Sequence, residues 1–449
     1  MRRLALLLLA LLVAQAAASR ELLRSGDASL ELTGSAKEIL TFTRGTDLDD
    51  FRRVAAGPDC VLVNTFPNCP SFHAVGRSDV VLSLSRLRLR FDARAGDHLS
   101  AVVVWDQEAR LGTLDTFEAQ LGEALGSERF LDLTDDIVDR REFLWRQLLY
   151  RAYLFYESEK LELTVGRQRI PWGVGRLWNP IDRFNAIGPL AIEADQSQGV
   201  DAVKARWLFS GFTYLEAIYA AGKRGEDRAY AARLAGVLRD VDYGLIAGVF
   251  EEAPTLGFDL AANLGDAAGR FELVWTDPER RVRPFGDPTA GDLPSYFQIV
   301  GSIDYNLDLG SGVYLLLEHL YNGNHLGFGE GEAGGLLGFF QEQGVEAPPT
   351  GFRTAAPGSS DLLGQSRVVS QAEHLTGGQL GYDLLPDLRG DLTVLYDWRG
   401  RSVALFPTLS YSPTGWLELV LGLQLFEGPR ASEYGRAETL GFAQAEVFF

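Results

Sequence analysis

Arginine alternates with apolar residues in one short stretch of the chain, and this spacing predicts an ordered row of positive charges. Arg86, Arg88 and Arg90 are separated by Leu87 and Leu89. Alternate residues of a β-strand share one face and lie about 6.8 Å apart, so the three guanidinium groups would form a ladder roughly 13 Å long. A row of fixed charges attracts and orients an anion. The predicted chemistry is therefore electrostatic steering, with no bond made or broken.

Other charged residues are expected to share the interior face with this ladder, and they divide by sign along the chain. The predicted basic set is Arg86, Arg88, Arg90, Arg151, Arg167, Arg169, Lys204, Arg206 and Arg233. The predicted acidic set is Asp304, Glu318, Asp391, Asp397 and Glu418. If the two sets face each other across water, a transverse field orients dipolar solutes and favours anions near the basic wall. The alternative is that each arginine pairs with an acid on a neighbouring strand, which leaves the interior electrically bland.

Histidine and cysteine give no catalytic or metal site. The five histidines, at positions 73, 98, 319, 325 and 374, lie in no recognisable nucleophile motif, so no catalytic residue and no enzyme activity is predicted. Cys60 and Cys69 are nine residues apart, and in an exported chain they predict one disulfide across a loop. Two thiols with only His73 nearby do not make a metal site. We expect no metal and no cofactor.

The start of the chain predicts export. Arg2 and Arg3 precede a short run of leucine and alanine, and small residues follow up to the expected cleavage after Ala18. The apolar run is too short to cross a bilayer as a helix, and the rest of the chain has no apolar stretch of the length that such a helix needs. We therefore predict a signal peptide at residues 1–18 and a single domain at residues 19–449.

The elements that carry the charged residues repeat with a period of two, which is the pattern of β-strands. Every second residue from Leu417 to Leu425 is leucine, for example. Most of these segments have about 9–12 residues, the length that a tilted strand needs to cross a bilayer. The predicted strands, about 18 of them, are residues 29–43, 80–93, 97–106, 147–157, 160–170, 200–209, 212–221, 229–239, 243–251, 255–264, 269–276, 296–306, 312–322, 375–385, 389–398, 402–411, 416–426 and 439–449.

The connections between these strands alternate in length. Every second connection is short, whereas many of the others are long, at residues 44–79, 107–146, 171–199, 277–295 and 323–374. Short turns at one end and long loops at the other are typical of outer-membrane β-barrels. We predict an all-β fold, a transmembrane antiparallel barrel with short periplasmic turns and long extracellular loops. Its first partner is outer-membrane lipid.

Composition excludes nucleic acid as a partner. The chain has a net charge of −19, and phosphate binding needs a basic face. Glycine and aromatic residues are frequent, at 49 residues and 11% respectively, which suits a large all-β domain.

The last strand ends on an aromatic residue, with apolar residues alternating behind it. Phe449, Val447 and Ala445 share one parity, which we assign to the lipid face. This ending resembles the C-terminal signature of bacterial outer-membrane β-barrel proteins. The resemblance implies that the barrel-assembly machinery recognises the last strand, which then closes against the first.

A second stretch resembles a narrower family. The segment GRQRIPWGVGRLWNPIDRFN, residues 166–185, is similar to a motif of porin-like outer-membrane proteins of the alginate-export and related uncharacterised types. Residues 401–428 and 431–435 also resemble that group. We place the motif at the barrel rim, where Gly166 permits a bulge that turns Arg167 and Arg169 inward and Trp172 marks the membrane interface. The alternative is that both arginines snorkel at the membrane edge.

Three classes of function remain open. A barrel of about 18 strands has a lumen too wide for side chains alone to fill, which favours a porin-type channel for small hydrophilic solutes in the cell outer membrane. The resemblance implies an alternative, a polysaccharide exporter with a continuous charged track. A structural or adhesive barrel without a conducting pore is the third hypothesis. The sequence is compatible with a homo-oligomer but does not establish one.

Overall fold

The computed structural model describes residues 20–46, 78–112, 130–140, 143–185, 188–192, 199–222, 228–250, 252–277, 295–323, 370, 372–429, 432–435 and 439–449. Within these ranges the period-two segments form one antiparallel sheet of 20 strands. None of the described residues form a helix that is long and apolar enough to cross a membrane. The predicted signal peptide and the pair Cys60 and Cys69 lie outside the described residues.

The strands follow the chain in order. The first ten are β1 (Arg20–Ser25), β2 (Ala28–Thr46), β3 (Ser78–Ala95), β4 (Leu99–Leu111), β5 (Thr134–Arg140), β6 (Phe143–Glu157), β7 (Leu161–Gln168), β8 (Val200–Ser210), β9 (Thr213–Ala220) and β10 (Ala229–Leu238). The second ten are β11 (Val241–Phe250), β12 (Ala253–Leu264), β13 (Ala267–Thr276), β14 (Tyr296–Leu307), β15 (Val313–Asn322), β16 (His374–Leu385), β17 (Leu388–Asp397), β18 (Ser402–Thr414), β19 (Leu417–Glu427) and β20 (Leu440–Phe448).

The sheet closes on itself, as predicted. Eighteen of the strands form a closed antiparallel barrel, in which β2 pairs with both β3 and β20. The last residue completes this seam, because Phe449 and Gly34 exchange two backbone hydrogen bonds of 2.8 and 2.9 Å. Lys37 and Glu446 lie opposite each other across the seam and form a buried ion pair of 2.8 Å. Closure leaves no unpaired strand edge in the barrel wall.

The two ends of the barrel differ in the way that the loop lengths predict. At one end the strands are joined by short turns such as Gly211–Phe212 and Arg239–Asp240. Arg239 and Asp240 both have positive φ, the geometry of a tight hairpin turn. The first described strand and the last residue both lie at this short-turn end, since β1 pairs with β2 beside Phe449.

Side chains alternate between an apolar outer face and a mixed interior. On β19, Leu421 and Leu423 are exposed, whereas Gly422 and Gln424 are buried inside. The same alternation places large exposed apolar residues around the outside, among them Leu245, Phe271 and Leu317. A continuous apolar surface of this kind suits lipid and not water, since the closed sheet already satisfies the backbone hydrogen bonds.

Two strands were missed by the sequence prediction, and both lie at places where the wall is incomplete. β1 extends the sheet on the edge of β2 below Phe449. β5 pairs with residues 143–148 of β6, while β7 pairs only with residues 152–157. β5 therefore fills the part of the wall that β7 does not reach, because the chain turns inward at the end of β7.

Candidate functional site

The chain leaves the barrel wall after Gln168 and enters the lumen. Gly166 has a φ of +123°, and a Cβ there would lie 2.3 Å from the carbonyl oxygen of Ala152. The pairing of β6 with β7 nevertheless runs through Gly166 without a register shift, so the predicted bulge is absent. Pro171 follows and cannot donate to a ladder. We call residues 169–185 and 188–192 the inner segment.

The motif of the inner segment builds its own turns. Gly173 has a φ of +87°, and a Cβ there would lie 2.0 Å from Oδ1 of Asn179. Asn179 donates from Nδ2 to the carbonyl of Trp172 at 2.7 Å and accepts from the backbone N–H of Asp182 at 2.9 Å. Asp182 accepts in turn from the N–H of Asn185 at 2.7 Å. The glycine and the Asn-Pro-x-Asp stretch therefore stabilise the same compact set of turns.

Two glutamates on distant strands hold the inner segment by its backbone. Glu272 on β13 accepts from the N–H groups of Val174, Gly175 (2.6 Å) and Ile181 (3.3 Å). Glu318 on β15 accepts from the next three consecutive N–H groups, those of residues 176–178, at 2.7–2.9 Å. Charged acceptors make the stronger class of hydrogen bond, so these six bonds fix the segment against the interior wall.

Further contacts extend along the same wall. The indole N–H of Trp172 donates to Glu216 on β9 at 2.7 Å, and Gln424 on β19 donates to the carbonyl of Leu190 at 2.7 Å. Trp172 is only 2% exposed, so the prediction that it marks the membrane interface is wrong. The inner segment thus lies across the inside of the barrel from β9 to β19.

Apolar packing supports the same position. One buried cluster joins Ile170, Trp172, Ile181 and Phe184 to interior residues of β8–β13. A second cluster joins Leu177 and Trp178 to interior residues of β14–β18. These strands carry apolar residues on both faces, which would be unfavourable in a water-filled lumen. The inner segment removes that interior surface from water.

Asp182 is the titratable centre of the inner segment. Burial raises the pKa of its carboxyl to about 7, although the N–H groups of Asn185 and Phe184 and the charge of Arg169 act in the opposite direction. The group therefore changes charge near neutral pH, within a turn that depends on its acceptor oxygen.

The predicted arginine ladder is on the opposite wall, which the described residues of the inner segment leave uncovered, and it is paired. Arg86 donates to Glu108 at 2.7 Å, Arg88 to Asp106 at 2.7 Å, and Arg90 to Asp92 at 2.6 Å. The basic residues of β8 and β10 lie on the part of the wall that the inner segment reaches, and they are paired as well. Arg206 contacts Glu216 at 2.9 Å and Glu162 at 3.0 Å, Lys204 lies 4.0 Å from Glu216, and Arg233 lies 2.9 Å from Asp259. These contacts favour local pairing, the alternative to two unpaired walls.

In three of these ion pairs the basic side chain is more exposed to the lumen than the acidic one. The side chain of Arg88 is 18% exposed and that of Asp106 is fully buried. The same order holds for Arg206 at 29% against Glu216 at 3%, and for Arg233 at 13% against Asp259 at 2%. In each of these three pairs the cation stands in front of its anion, so a solute that reaches them meets positive charge first. The pairs Arg86–Glu108 (7% and 5%) and Arg270–Asp304 (12% each) do not show this order.

A β-bulge brings two consecutive side chains to this surface. The pairing of β4 with β6 shifts between Val104 and Trp105, so that Arg151 lies opposite Val104 and Leu149 opposite Trp105. Tyr150, the residue between them, packs with interior residues such as Val102. Its ring lies 4.0 Å from the guanidinium carbon of Arg88 and 5.3 Å from that of Arg151, distances at which cation–π attraction operates. The bulge thus adds Arg151 to the ladder.

Arg167 differs from the rest of the predicted basic set. It is 1% exposed and donates to Asp201 at 2.9 Å and to the carbonyls of Leu131 and Leu149. These partners belong to the wall where β6 changes its neighbour from β7 to β5, so Arg167 joins wall elements and meets no open lumen. Arg169 is partly exposed and follows it at the start of the inner segment.

The predicted acidic set does not form an open acidic wall. Glu318 holds the inner segment, Asp304 pairs with Arg270, and Asp391 pairs with Arg389 at 3.0 Å. Asp397 accepts from the N–H groups of residues 399, 400 and 433. Glu418 lies opposite Glu446 on β20. Sequence reasoning missed Glu216 and Glu272, although both alternate with apolar residues on strands that were predicted correctly.

Comparisons with known proteins agree with this architecture. No family model and no curated protein matches the chain. Similar solved structures include Pseudomonas aeruginosa OpdK with vanillate (13% identity, TM-score 0.50, covering 94% of this chain and 98% of that chain). Acinetobacter baumannii OccAB1 has 10% identity and a TM-score of 0.52 over 96% and 98% of the two chains. A BenF-like porin from Pseudomonas fluorescens Pf-5 has 11% identity and a TM-score of 0.52 over 94% and 99%.

The similarity covers nearly the whole of each chain, at identities that define the fold alone. It supports the porin-like part of the resemblance and gives no support to the alginate-export label. The chain therefore has the fold of the 18-strand outer-membrane porins.

Proposed function

We propose that the chain is an outer-membrane channel that passes small hydrophilic solutes and favours anions. The observation that carries this proposal is the order within three interior ion pairs, those of Arg88, Arg206 and Arg233, in which the arginine is more exposed than its acid. An anion at that surface meets positive charge first, and the low-dielectric wall behind it strengthens the attraction.

The inner segment supports passage of small solutes. It lies along the interior from β9 to β19 and narrows a lumen that 18 strands would otherwise leave wide. A constriction lets side chains contact a solute directly, which is a condition for selectivity. OpdK, which has the same fold, was crystallised with vanillate, a small aromatic carboxylate. A solute of that size and charge suits the arginine surface proposed here.

The alternatives fit less well. A polymer exporter needs a continuous path, and the inner segment obstructs the side of the lumen against which it packs. A structural barrel gives no reason for Arg88, Arg206 and Arg233 to stand in front of their acids. We also propose that the C-terminal residues Phe449, Val447 and Ala445 serve the barrel-assembly machinery, since Phe449 closes the seam of the barrel.

Single-channel recording in a planar bilayer tests the function. We expect discrete open steps and, in a gradient of KCl, a zero-current potential on the anion-selective side. Replacing Arg88 and Arg90 together with Gln removes two charges from the ladder and should move that potential toward cation selectivity, with the conductance retained.

Arg399→Gln is the matched control, because Arg399 lies in the turn after β17 and pairs with Glu373 at 3.2 Å, away from the ladder. It should leave the zero-current potential unchanged. A wild-type protein without open steps would contradict the channel itself. A potential that Arg88→Gln/Arg90→Gln leaves unchanged would remove the ladder from the mechanism.

A further inference from the structure

The outer face of the barrel is apolar on most strands and polar on one sector. On β9–β14, β17, β18 and β20, the described residues that face outward include no charged or amide side chain. On β2–β6, six polar residues face outward side by side. We call them the polar strip: Glu38, Ser83, Ser85, Gln107, Asp135 and Gln147.

Alternation along the strands establishes that the strip faces outward. Glu38 shares its parity with Phe42, which is 48% exposed, while Ile39 between them is fully buried inside. Ser85 likewise shares its parity with the exposed Leu87, and Leu84 faces the interior. The register places Glu38 opposite Ser85 on one side and opposite Ala445, near the middle of β20, on the other. The carboxylate therefore lies within the apolar band and not at its edge.

Hydrogen bonds join the members of the strip into two adjacent groups, one on β2 and β3 and one on β4–β6. Both serine hydroxyls donate to the carboxylate of Glu38, that of Ser83 at 2.6 Å. The amide of Gln107 donates to Gln147 at 3.1 Å, and Gln147 donates to Asp135 at 2.9 Å. Trp145 donates its indole N–H to Gln107 at 2.8 Å. The strip is thus an organised surface that runs across five neighbouring strands.

Such a surface is unfavourable against lipid. Charged side chains on the lipid face destabilise a barrel in proportion to their depth. Two hydroxyl donors satisfy only part of the acceptor capacity of a carboxylate, which has about four lone-pair sites. Outward-facing positions on other strands carry apolar residues such as Leu245, Phe271 and Leu317. The acid and the amides on this sector therefore indicate that it contacts protein and not lipid.

The side chains around the strip are small. Ala36, Ala109, Ala443 and Ala445 lie beside it on β2, β4 and β20. Small residues on a membrane-facing surface allow two backbones to approach closely, which strengthens packing and brings short polar groups within hydrogen-bond distance.

We propose that the polar strip is the contact between two copies of this chain, related by a two-fold axis parallel to the barrel axis. The β2–β3 end of the strip carries a carboxylate that only accepts, and the β4–β6 end carries the amides of Gln107 and Gln147, each with a second N–H to donate; the other carboxylate of the strip, Asp135, already accepts from Gln147. A two-fold axis brings unlike ends together, so that the carboxylate of each copy meets amide groups of the other. Self-complementarity of this kind is what an isologous contact requires. The proposal rests on membrane insertion and is independent of conduction.

Native mass spectrometry of the full chain in mild detergent and in lipid nanodiscs tests the contact. The wild-type protein should be a dimer, and a photo-reactive residue at Ala109 should cross-link to the strip of the second copy. Glu38→Leu combined with Gln107→Leu removes the acceptor and the central amide and should give folded monomers. Heat-modifiable electrophoretic migration verifies that the barrel remains closed.

His319→Leu is the matched control, because it also replaces an outward-facing polar residue with leucine, on β15 and outside the strip. It should remain a dimer. A wild-type monomer in both media, an assembly of another size, or a dimer that survives Glu38→Leu/Gln107→Leu would overturn the proposal. Single-channel conductance of the same variants separates this result from the channel function, since monomers should still conduct.

Discussion

The two sides of the barrel interior use acidic side chains in opposite ways. On the uncovered wall, Asp106 and Glu108 accept from arginines and lie behind them. On the covered wall, Glu272 and Glu318 accept from backbone N–H groups of the inner segment. All four residues face the interior from strands of the same barrel. The difference teaches that the role of an interior acid depends on what the fold brings against it.

Removing the acids of the covered wall should have the largest effect. We expect Glu272→Ala combined with Glu318→Ala to release the inner segment, because six charge-assisted hydrogen bonds are lost. The open-channel conductance should at least double, and discrimination between anions and cations should fall. Single-channel recording measures both quantities.

Glu272→Gln combined with Glu318→Gln is the control for that experiment. An amide oxygen still accepts from backbone N–H groups, so the conductance should stay close to the wild-type value. If the two double variants conduct equally, the acids do not hold the segment by accepting hydrogen bonds.

Deprotonation of Asp182 should destabilise the fold of the inner segment as the pH rises. Its folded-state pKa of about 7 exceeds the unfolded value, so the stabilising effect is complete in acid and is lost as the pH rises toward and through 7. Between the ordinary pKa of an aspartate and pH 7, the free energy of unfolding should fall by about 4 kcal/mol. Thermal unfolding should therefore occur at lower temperature at pH 8 than at pH 5.

Asp182→Asn provides the comparison, because it keeps an acceptor oxygen and cannot ionise. Its unfolding temperature should vary less between pH 5 and pH 8 than that of the wild type. An equal pH dependence in both proteins would assign the effect to other groups.

Neutralising an acid of the uncovered wall should change the ion selectivity of the channel and leave its conductance nearly unchanged. Asp106→Asn leaves Arg88 without its charged partner, so the positive surface should become stronger. We expect a moderate shift of the zero-current potential toward anions at nearly unchanged conductance, and a smaller shift in concentrated salt because of screening. A rise in conductance like that of Glu272→Ala/Glu318→Ala would contradict the view that acids of the two walls have different roles.

The smallest effect is expected at one end of the inner segment. Trp172→Phe keeps the buried ring and removes the indole donor to Glu216, a loss of about 1–3 kcal/mol locally. Brief fluctuations of the open current should become more frequent, with the mean conductance unchanged. Arg206 still pairs with Glu216, so a change in ion selectivity would indicate a wider rearrangement.

Sequence reasoning located all eighteen barrel strands, because each one is a local alternation of apolar and polar residues. It missed β5, whose sequence TDDIVDR is acidic and short and becomes a strand only where β7 leaves the wall. It also recognised the motif at residues 166–185 but placed it at the rim. The bonds that hold that motif inside join residues as far apart as Trp178 and Glu318, 140 positions along the chain.

The sequence by itself determined the all-β architecture, the spans of the eighteen barrel strands and the uneven lengths of the loops. These properties follow from the two-residue period of side chains, which needs no knowledge of distant partners. Only the tertiary structure decided that residues 169–185 and 188–192 fold into the lumen, that acids of one wall hold them there, and that Arg88 on the other wall stands in front of Asp106. Those arrangements depend on which strands face each other across the closed barrel, and a local pattern does not contain that information.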